Sequence, residues 1–189
     1  MTLAALVLAA GSATRFGSDK LSTPFRGEPL VHHAIRAARA APVSRVVIVA
    51  HPALELGTWP DEPPVEVRRF ASSELSASLR EGIAAVRDMG GAFVFLGDVP
   101  LVPHDLAARL AARINDAYAV VPTHAGKPGH PVLLSARAFY DVLALTGDEG
   151  AGRLLRGRDD LVTEDCTDPC IRFDIDRPAD LETEPDLRR

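Results

Sequence analysis

"LVLAAGSATRFGSDK" (Leu6–Lys20) is the stretch on which the fold turns. A run of apolar residues stops at Gly11, and small residues follow with one arginine, Arg15, and one lysine, Lys20. An apolar run without alternation reads as a strand covered on both faces, and a glycine turn at its end presents backbone N–H groups beyond the sheet. Arg15 can fork onto phosphate oxygens, and Lys20 supplies a compact positive charge. Two readings stand side by side: a phosphate cradle, or a plain strand-to-helix turn carrying two solvated cations. Neither familiar glycine loop is present. G-x-G-x-x-G is absent, and the P-loop spacing fails because five residues separate Gly11 from Gly17 and the lysine comes three positions later.

Outward from that loop the chain alternates strand-type and helix-type stretches. Apolar runs at Leu3–Ala9, Arg45–Ala50, Ala92–Gly97 and Ala117–Pro122 read as strands, with a shorter one at Val65–Phe70. Helical spacing is seen from Pro29, over Leu75–Met89 and over His104–Asp116. The last third predicts a short strand at His130–Leu134, a helix at Ala136–Leu145 and a turn with a short helix at Gly147–Arg156. "CIRFDIDRPADLE" should close the fold as a strand followed by a proline-started helix. Strands apolar on both faces and separated by helices indicate an α/β fold with a parallel sheet covered on both sides. Ligands then bind beyond the carboxyl ends of the strands, so the Gly11 loop and "GDVPLVP" (Gly97–Pro103) should meet if their strands are central.

With 189 residues, 47% hydrophobic and 25% charged, the sequence suits one domain spanning 1–189 with a real core. A net charge of −5 argues against sequence-independent nucleic-acid binding and leaves a small anionic ligand open. "MTLAALVLAAG" lacks the basic start of a signal peptide, and no apolar run approaches a membrane span, so a cytoplasmic protein without a membrane partner is expected. Cys166 and Cys170 in "CTDPC" cannot complete a structural zinc site alone, and they read as two incidental thiols in a loop.

Several stretches, in order, resemble one family. "LAAGSATRFGSDK" is similar to the signature L-A-A-G-x-x-x-R-x-G-x-x-K of the MobA-like NTP transferase superfamily, which includes the molybdenum cofactor cytidylyltransferases. "LGDVPLV" resembles its G-D-x-P motif, and "FDIDRPADLE" its closing D-x-D-x-P-x-D-L segment. Ser78-Leu79-Arg80-Glu81-Gly82 has the S-[LV]-x-x-G pattern of cytidylyl-transferring members. "GKPGHPVLL" and "LTGDEGAGRLL" resemble segments of the molybdenum cofactor cytidylyltransferases in particular, though an extra Gly152 displaces Arg153 by one position.

The resemblance implies a three-layer α/β/α, mostly parallel, Rossmann-like nucleotidyltransferase sheet. It implies transfer of CMP from CTP to a phosphate-bearing molybdopterin-type acceptor, with release of pyrophosphate. Leu8, Ala9, Ala10, Gly11, Ser12, Arg15, Lys20, Ser78 and Gly82 would hold the nucleotide, with Arg15, Lys20 and Asp98 as the catalytic set. Asp98 and Asp176 would hold Mg2+, Asp174 being the fallback for the second position and Asp180 a residue of the following first turn. His130, Pro131 and Asp148 would shape the acceptor site, although His130 also reads as a hydrogen-bonded turn residue. An acceptor molybdoenzyme is a further implied partner. Other readings remain: guanylyl transfer, a sugar- or polyol-phosphate acceptor, or a non-catalytic nucleotide-binding module. The missing G-x-G-x-x-G disfavours a nicotinamide or flavin oxidoreductase.

Overall fold

The computed structural model describes residues 1–11, 19–71, 74–147 and 150–183. Strand β1 (Leu3–Ala9) is buried at all seven positions, because both of its faces are covered. Leu3, Ala5, Val7 and Ala9 join one core cluster, while Ala4, Leu6 and Leu8 join the other, as a two-residue side-chain period requires. The chain then runs through a hairpin of β2 (Pro24–Phe25) and β3 (Glu28–Pro29), helix α1 (Leu30–Ala40), β4 (Arg45–Ala50) and β5 (Val65–Arg69). Helix α2 (Leu75–Ala85), β6 (Gly91–Leu96), α3 (Leu106–Ala111) and β7 (Ala119–His124) follow. The last third holds β8 (Lys127–Pro128), β9 (Val132–Ser135), α4 (Ala136–Leu143), α5 (Ala151–Leu155) and β10 (Leu161–Asp165).

The main sheet has the order β10-β7-β9-β6-β1-β4-β5, with β8 paired to β7. Strands β6, β1, β4 and β5 run parallel, as does β10 with β7, while β9 is antiparallel to both β6 and β7. Helices α1 and α3 pack on one face, and α2 and α4 on the other, which gives the three-layer α/β/α arrangement. β1 lies beside β6, so Ala10 and Gly11 share one edge of the sheet with Gly97 and Asp98; residues 12–18 of the Gly11 loop lie outside the described residues. Gly97 N–H donates to the Leu8 carbonyl at 2.9 Å and ties the two strand ends together.

Three elements depart from expectation. No strand forms over 170–176; instead Pro169–Arg172 is a 3-10 turn, and Pro178–Glu182 is another. Pro169 offers no N–H, and the Asp168 carboxylate accepts the Cys170 N–H at 2.8 Å, so the backbone turns rather than extends. The last strand is β10, whose half-exposed "LVTED" lacks the apolar run that marks the central strands. Helix α3 covers only six residues of the predicted thirteen-residue stretch His104–Asp116, because the chain turns at Asn115 with φ of +25° before entering β7. Both thiols are free and buried, so they belong to the core rather than to a loose loop. Burial, with Asp168 beside it, pushes the Cys170 thiol up to about 12.

Candidate active site

Besides the start of α2, which brings Glu74, Leu75 and Ser78, four separate pieces of chain build the site. The first is the end of β1, from Leu8 to Gly11. The second is the 3-10 turn Lys20–Ser22, whose Leu21 is buried while Lys20 faces the cavity. The third is Asp98, just past β6, where a parallel strand delivers its residues to the ligand edge. The fourth is the closing segment 173–177. Ile175 N–H donates to the Asp98 carbonyl at 3.0 Å, and Ile171 accepts the His130 N–H at 2.8 Å. Ile171, in the 3-10 turn, and Ile175, beyond it, are fully buried, so two apolar anchors pin the irregular segment 173–177. The Asp180 carboxylate accepts the N–H groups of Asp176 and Arg177 at 2.9 and 2.7 Å, which fixes the backbone from which the Asp176 side chain projects.

These anchors bring Asp176 to Lys20. The ammonium Nζ lies 2.8 Å from Asp98 Oδ2 and 3.2 Å from Asp176 Oδ1. Burial pulls the Lys20 pKa down, but the charges and hydrogen bonds of Asp98 and Asp176 outweigh it and hold the group above the usual lysine range. Burial also raises the Asp174 carboxyl, helped by the neighbouring Asp176 and Asp98 charges. Asp174 therefore stands close to the same acidic centre, consistent with its place two residues from Asp176.

A cavity of about 330 Å³ opens beside the ammonium, lined by Leu8–Gly11, Asp19, Lys20, Leu21, Glu74, Leu75, Ser78, Leu96 and Asp98. A second cavity of about 220 Å³ adjoins it and shares Leu8, Leu75 and Leu96. Its described walls are apolar side chains and glycines, with His130 the exception. Burial lowers the His130 pKa, while the Val94 carbonyl and the Asp98 charge oppose that shift only in part. Its Nδ1 is buried without a partner among the described residues.

The structure thus brings together Leu8, Ala9, Ala10, Gly11, Lys20, Ser78, Asp98 and Asp176 from the predicted set. Gly82 is elsewhere: a Cβ there would lie 3.1 Å from Leu6 Cδ1 and 3.3 Å from Val49 Cγ2, so its place is the close approach of α2 to the sheet. His130 lines the second cavity, and Pro131 is buried beside it. Ser12, Arg15 and Asp148 lie outside the described residues. Asp19, Glu74 and Leu75 line the first cavity without having been singled out. Their signal is positional, since two precede the serine motif and one precedes the lysine.

A mostly parallel α/β sheet with a lysine and two aspartates gathered at its ligand edge is a Rossmann-like frame suited to a charged ligand. The chain belongs to the family described as the MobA-like NTP transferase domain, whose model matches residues 5–162. It is 30% identical over 166 residues to purine catabolism protein PucB of Bacillus subtilis, covering 82% of this chain and 80% of that one. It is 36% identical over 131 residues to 2-C-methyl-D-erythritol 4-phosphate cytidylyltransferase of Cereibacter sphaeroides, covering 65% of this chain and 58% of that enzyme. The crystal structure of Rv0371c from Mycobacterium tuberculosis superposes with a TM-score of 0.84 at 27% identity, covering 97% of this chain and all of the other (100%). A manganese complex of Rv0371c superposes with a TM-score of 0.77 at 26% identity, covering 96% and 97% of the two chains. The chain is therefore a nucleotidyltransferase of the MobA-like family, and among the described residues no helix is long and apolar enough to cross a membrane.

Proposed function

We propose that the protein transfers CMP from CTP to the phosphate of a molybdopterin-type acceptor and releases pyrophosphate. The observation that carries this reading is the convergence of Lys20, Asp98 and Asp176 at the ends of β1 and β6, in the wall of a cavity that Ser78 also lines. The acceptor phosphate is already anionic, so the reaction needs alignment and charge stabilisation rather than a protein nucleophile. An acceptor oxygen forms the new bond to the α-phosphorus as the bond to the β-phosphate oxygen breaks, and pyrophosphate carries the electron pair away. The Gly11 turn and Arg15 hold the triphosphate. Lys20 donates to oxygens around the α-phosphorus as charge develops there. Ser78, one turn into α2, faces the base in the pattern of cytidylyl-transferring relatives.

The residues fit a divalent cation. Two carboxylate oxygens converge on one ammonium, which stands where a cation is electrostatically welcome. One or two carboxylates, completed by water and phosphate oxygens, are what Mg2+ takes in such sites. Asp98 and Asp176 would hold the ion, and it would supply charge neutralisation to the phosphates.

The second cavity supports the acceptor assignment. Its apolar described walls offer surface against which a flat ring can lie, with His130 as a polar side chain among them. The test is a matrix of the four nucleoside triphosphates against molybdopterin, sugar phosphates and polyol phosphates, with Mg2+ present and pyrophosphate measured. Release with CTP and molybdopterin is expected. Release confined to another pair would replace this reading with that pair.

A further inference from the structure

We infer that Lys20 closes the Asp98–Asp176 pair to divalent cations until a polyphosphate draws its ammonium away. The inference rests on the reading of those two aspartates as the cation-holding pair. The ammonium contacts both carboxylates, at 2.8 and 3.2 Å, and so occupies the point at which their oxygens converge. The Lys20 side chain is only 12% exposed, against 28% for Asp98 and 58% for Asp176. A dication placed between the same oxygens would face a fixed positive charge at contact distance, and the two cannot share the position. Expelling the ammonium strips a largely buried charge of both of its carboxylate partners, which opposes binding of the cation alone.

The local fold allows the exchange when an anion is present. Leu21 is buried, Ser22 N–H donates to the Asp19 carbonyl, and Thr23 N–H donates to the Lys20 carbonyl, so the backbone of the turn is held. The rotatable bonds of the four-carbon lysine stem let the ammonium change partners while that anchor stays in place. The cavity on the Gly11 side of Lys20 gives it somewhere to go. A polyphosphate there takes the ammonium as a hydrogen-bonded partner and frees the carboxylates, so cation and polyphosphate bind cooperatively. Linkage requires each to tighten the other by the same factor, typically about 5- to 150-fold.

The test reads Mn2+ binding to the full-length protein from the electron paramagnetic resonance signal of the free ion, with inorganic tripolyphosphate as the anion. Protein-free blanks correct for the Mn2+–tripolyphosphate complex. Wild-type protein should bind Mn2+ weakly alone and more tightly with tripolyphosphate. Lys20→Met should bind Mn2+ without any anion at least about 5-fold more tightly than wild type and lose most of the coupling. Lys20→Arg should behave as wild type. Circular dichroism verifies folding, and Lys20→Gln replaces the methionine variant if that one does not fold. Lys20→Met binding Mn2+ no better than wild type would overturn the lock, provided that adding Asp98→Asn still weakens Mn2+ binding. If adding Asp98→Asn or Asp176→Asn leaves Mn2+ binding unchanged, the assignment of the pair as the cation site falls, and the lock falls with it.

Discussion

The two adjoining cavities share a wall of Leu8, Leu75 and Leu96, yet they differ in kind. One holds Lys20 and Asp98, whereas the described lining of the other is apolar apart from His130. The difference follows the sheet. The first cavity lies at the carboxyl ends of the parallel strands β1 and β6, where chain leaving the sheet carries polar groups into the ligand edge. The second borders β9, which runs antiparallel to β6 and β7. Reversing one strand brings the residues before it, Gly129 and His130, to the edge that the other strands reach with the residues after them. Parallel strands deliver charge to this edge, and the reversed strand delivers shape.

The largest effect should come from removing charge at the first cavity. Lys20→Ala is expected to lower kcat by about 100- to 1,000-fold while sparing much of the nucleotide affinity, because the ammonium acts mainly as charge develops. Pyrophosphate release and calorimetric CTP binding separate the two quantities. Equal loss of both would move Lys20 from the reacting centre to simple binding.

The second cavity should answer to volume. A Cβ at Gly152 meets nothing within 4 Å, and the residue lines the cavity wall from α5. Gly152→Leu should therefore fold, gain a little helix propensity, and raise the acceptor KM by about 10-fold by filling the space, with CTP affinity unchanged. Gly129, which also lines this cavity, differs: a Cβ there would lie 2.6 Å from Ile171 Cγ1 and 2.7 Å from its carbonyl oxygen. Gly129→Ala should push away the segment that carries Asp176, and lose thermal stability and activity together. A Gly152→Leu enzyme impaired toward CTP instead would erase the division between the cavities.

Much of this was legible in the sequence. β1 and β4 fall on the residues whose unbroken apolar runs, β-branched in β4, announce strands covered on both faces. The Gly11 loop stood out by its glycines and cations, whereas Asp98 and Asp176 stood out only by resemblance to the family's motifs, and the fold gathers Lys20 with both aspartates. What escaped was non-local. β10 is a half-exposed edge strand, and its alternation is too weak to stand out. Nothing local in "RFDID" tells that buried Ile175 docks on the Asp98 carbonyl and so aims Asp176 at Lys20. Leu75 reads as an ordinary leucine at a helix start, yet it separates two cavities. Gly82 fits a nucleotide-site pattern by sequence, whereas its environment is helix-to-sheet packing.

Smaller effects should appear in stability against pH. Burial lowers the folded-state pKa of His130, so the unfolded chain takes up a proton near the ordinary value of 6.5 before the folded chain does. Stability is then complete above that pH and declines as the pH falls through it toward the folded value. Urea midpoints measured from pH 7.5 to 5.5 should decrease, and His130→Gln should make the decline shallower. The decline should persist in part, because burial also lowers His32, which lies outside both cavities. An unaltered slope in His130→Gln would mean that the second cavity leaves its histidine as hydrated as an unfolded one.

The smallest effect belongs to a region that borders neither cavity and so tests whether the division is local. Tyr118 is buried just before β7, its hydroxyl donates to Asp141 Oδ2 at 2.8 Å, and the Arg158 guanidinium carbon stands 3.5 Å from its ring centre. Tyr118→Phe keeps the ring and the cation above it and removes only the hydroxyl. Asp141 keeps its contact with Arg158 at 3.9 Å and, at 41% exposed, can take up water, so the cost should fall to the low end for a hydrogen bond to a charged group, about 1.5 kcal/mol. Burial, with Asp141 beside it, raises the phenol from 10.0 to about 12. The stability this shift contributes is present below pH 10 and is lost as the pH rises toward 12, so the variant should lack that alkaline loss. Its nucleotide affinity and acceptor KM should match those of wild type. A change in either would mean that the β7 end of the sheet communicates with the cavities, and that charge and shape at the ligand edge are not set by the strand ends alone.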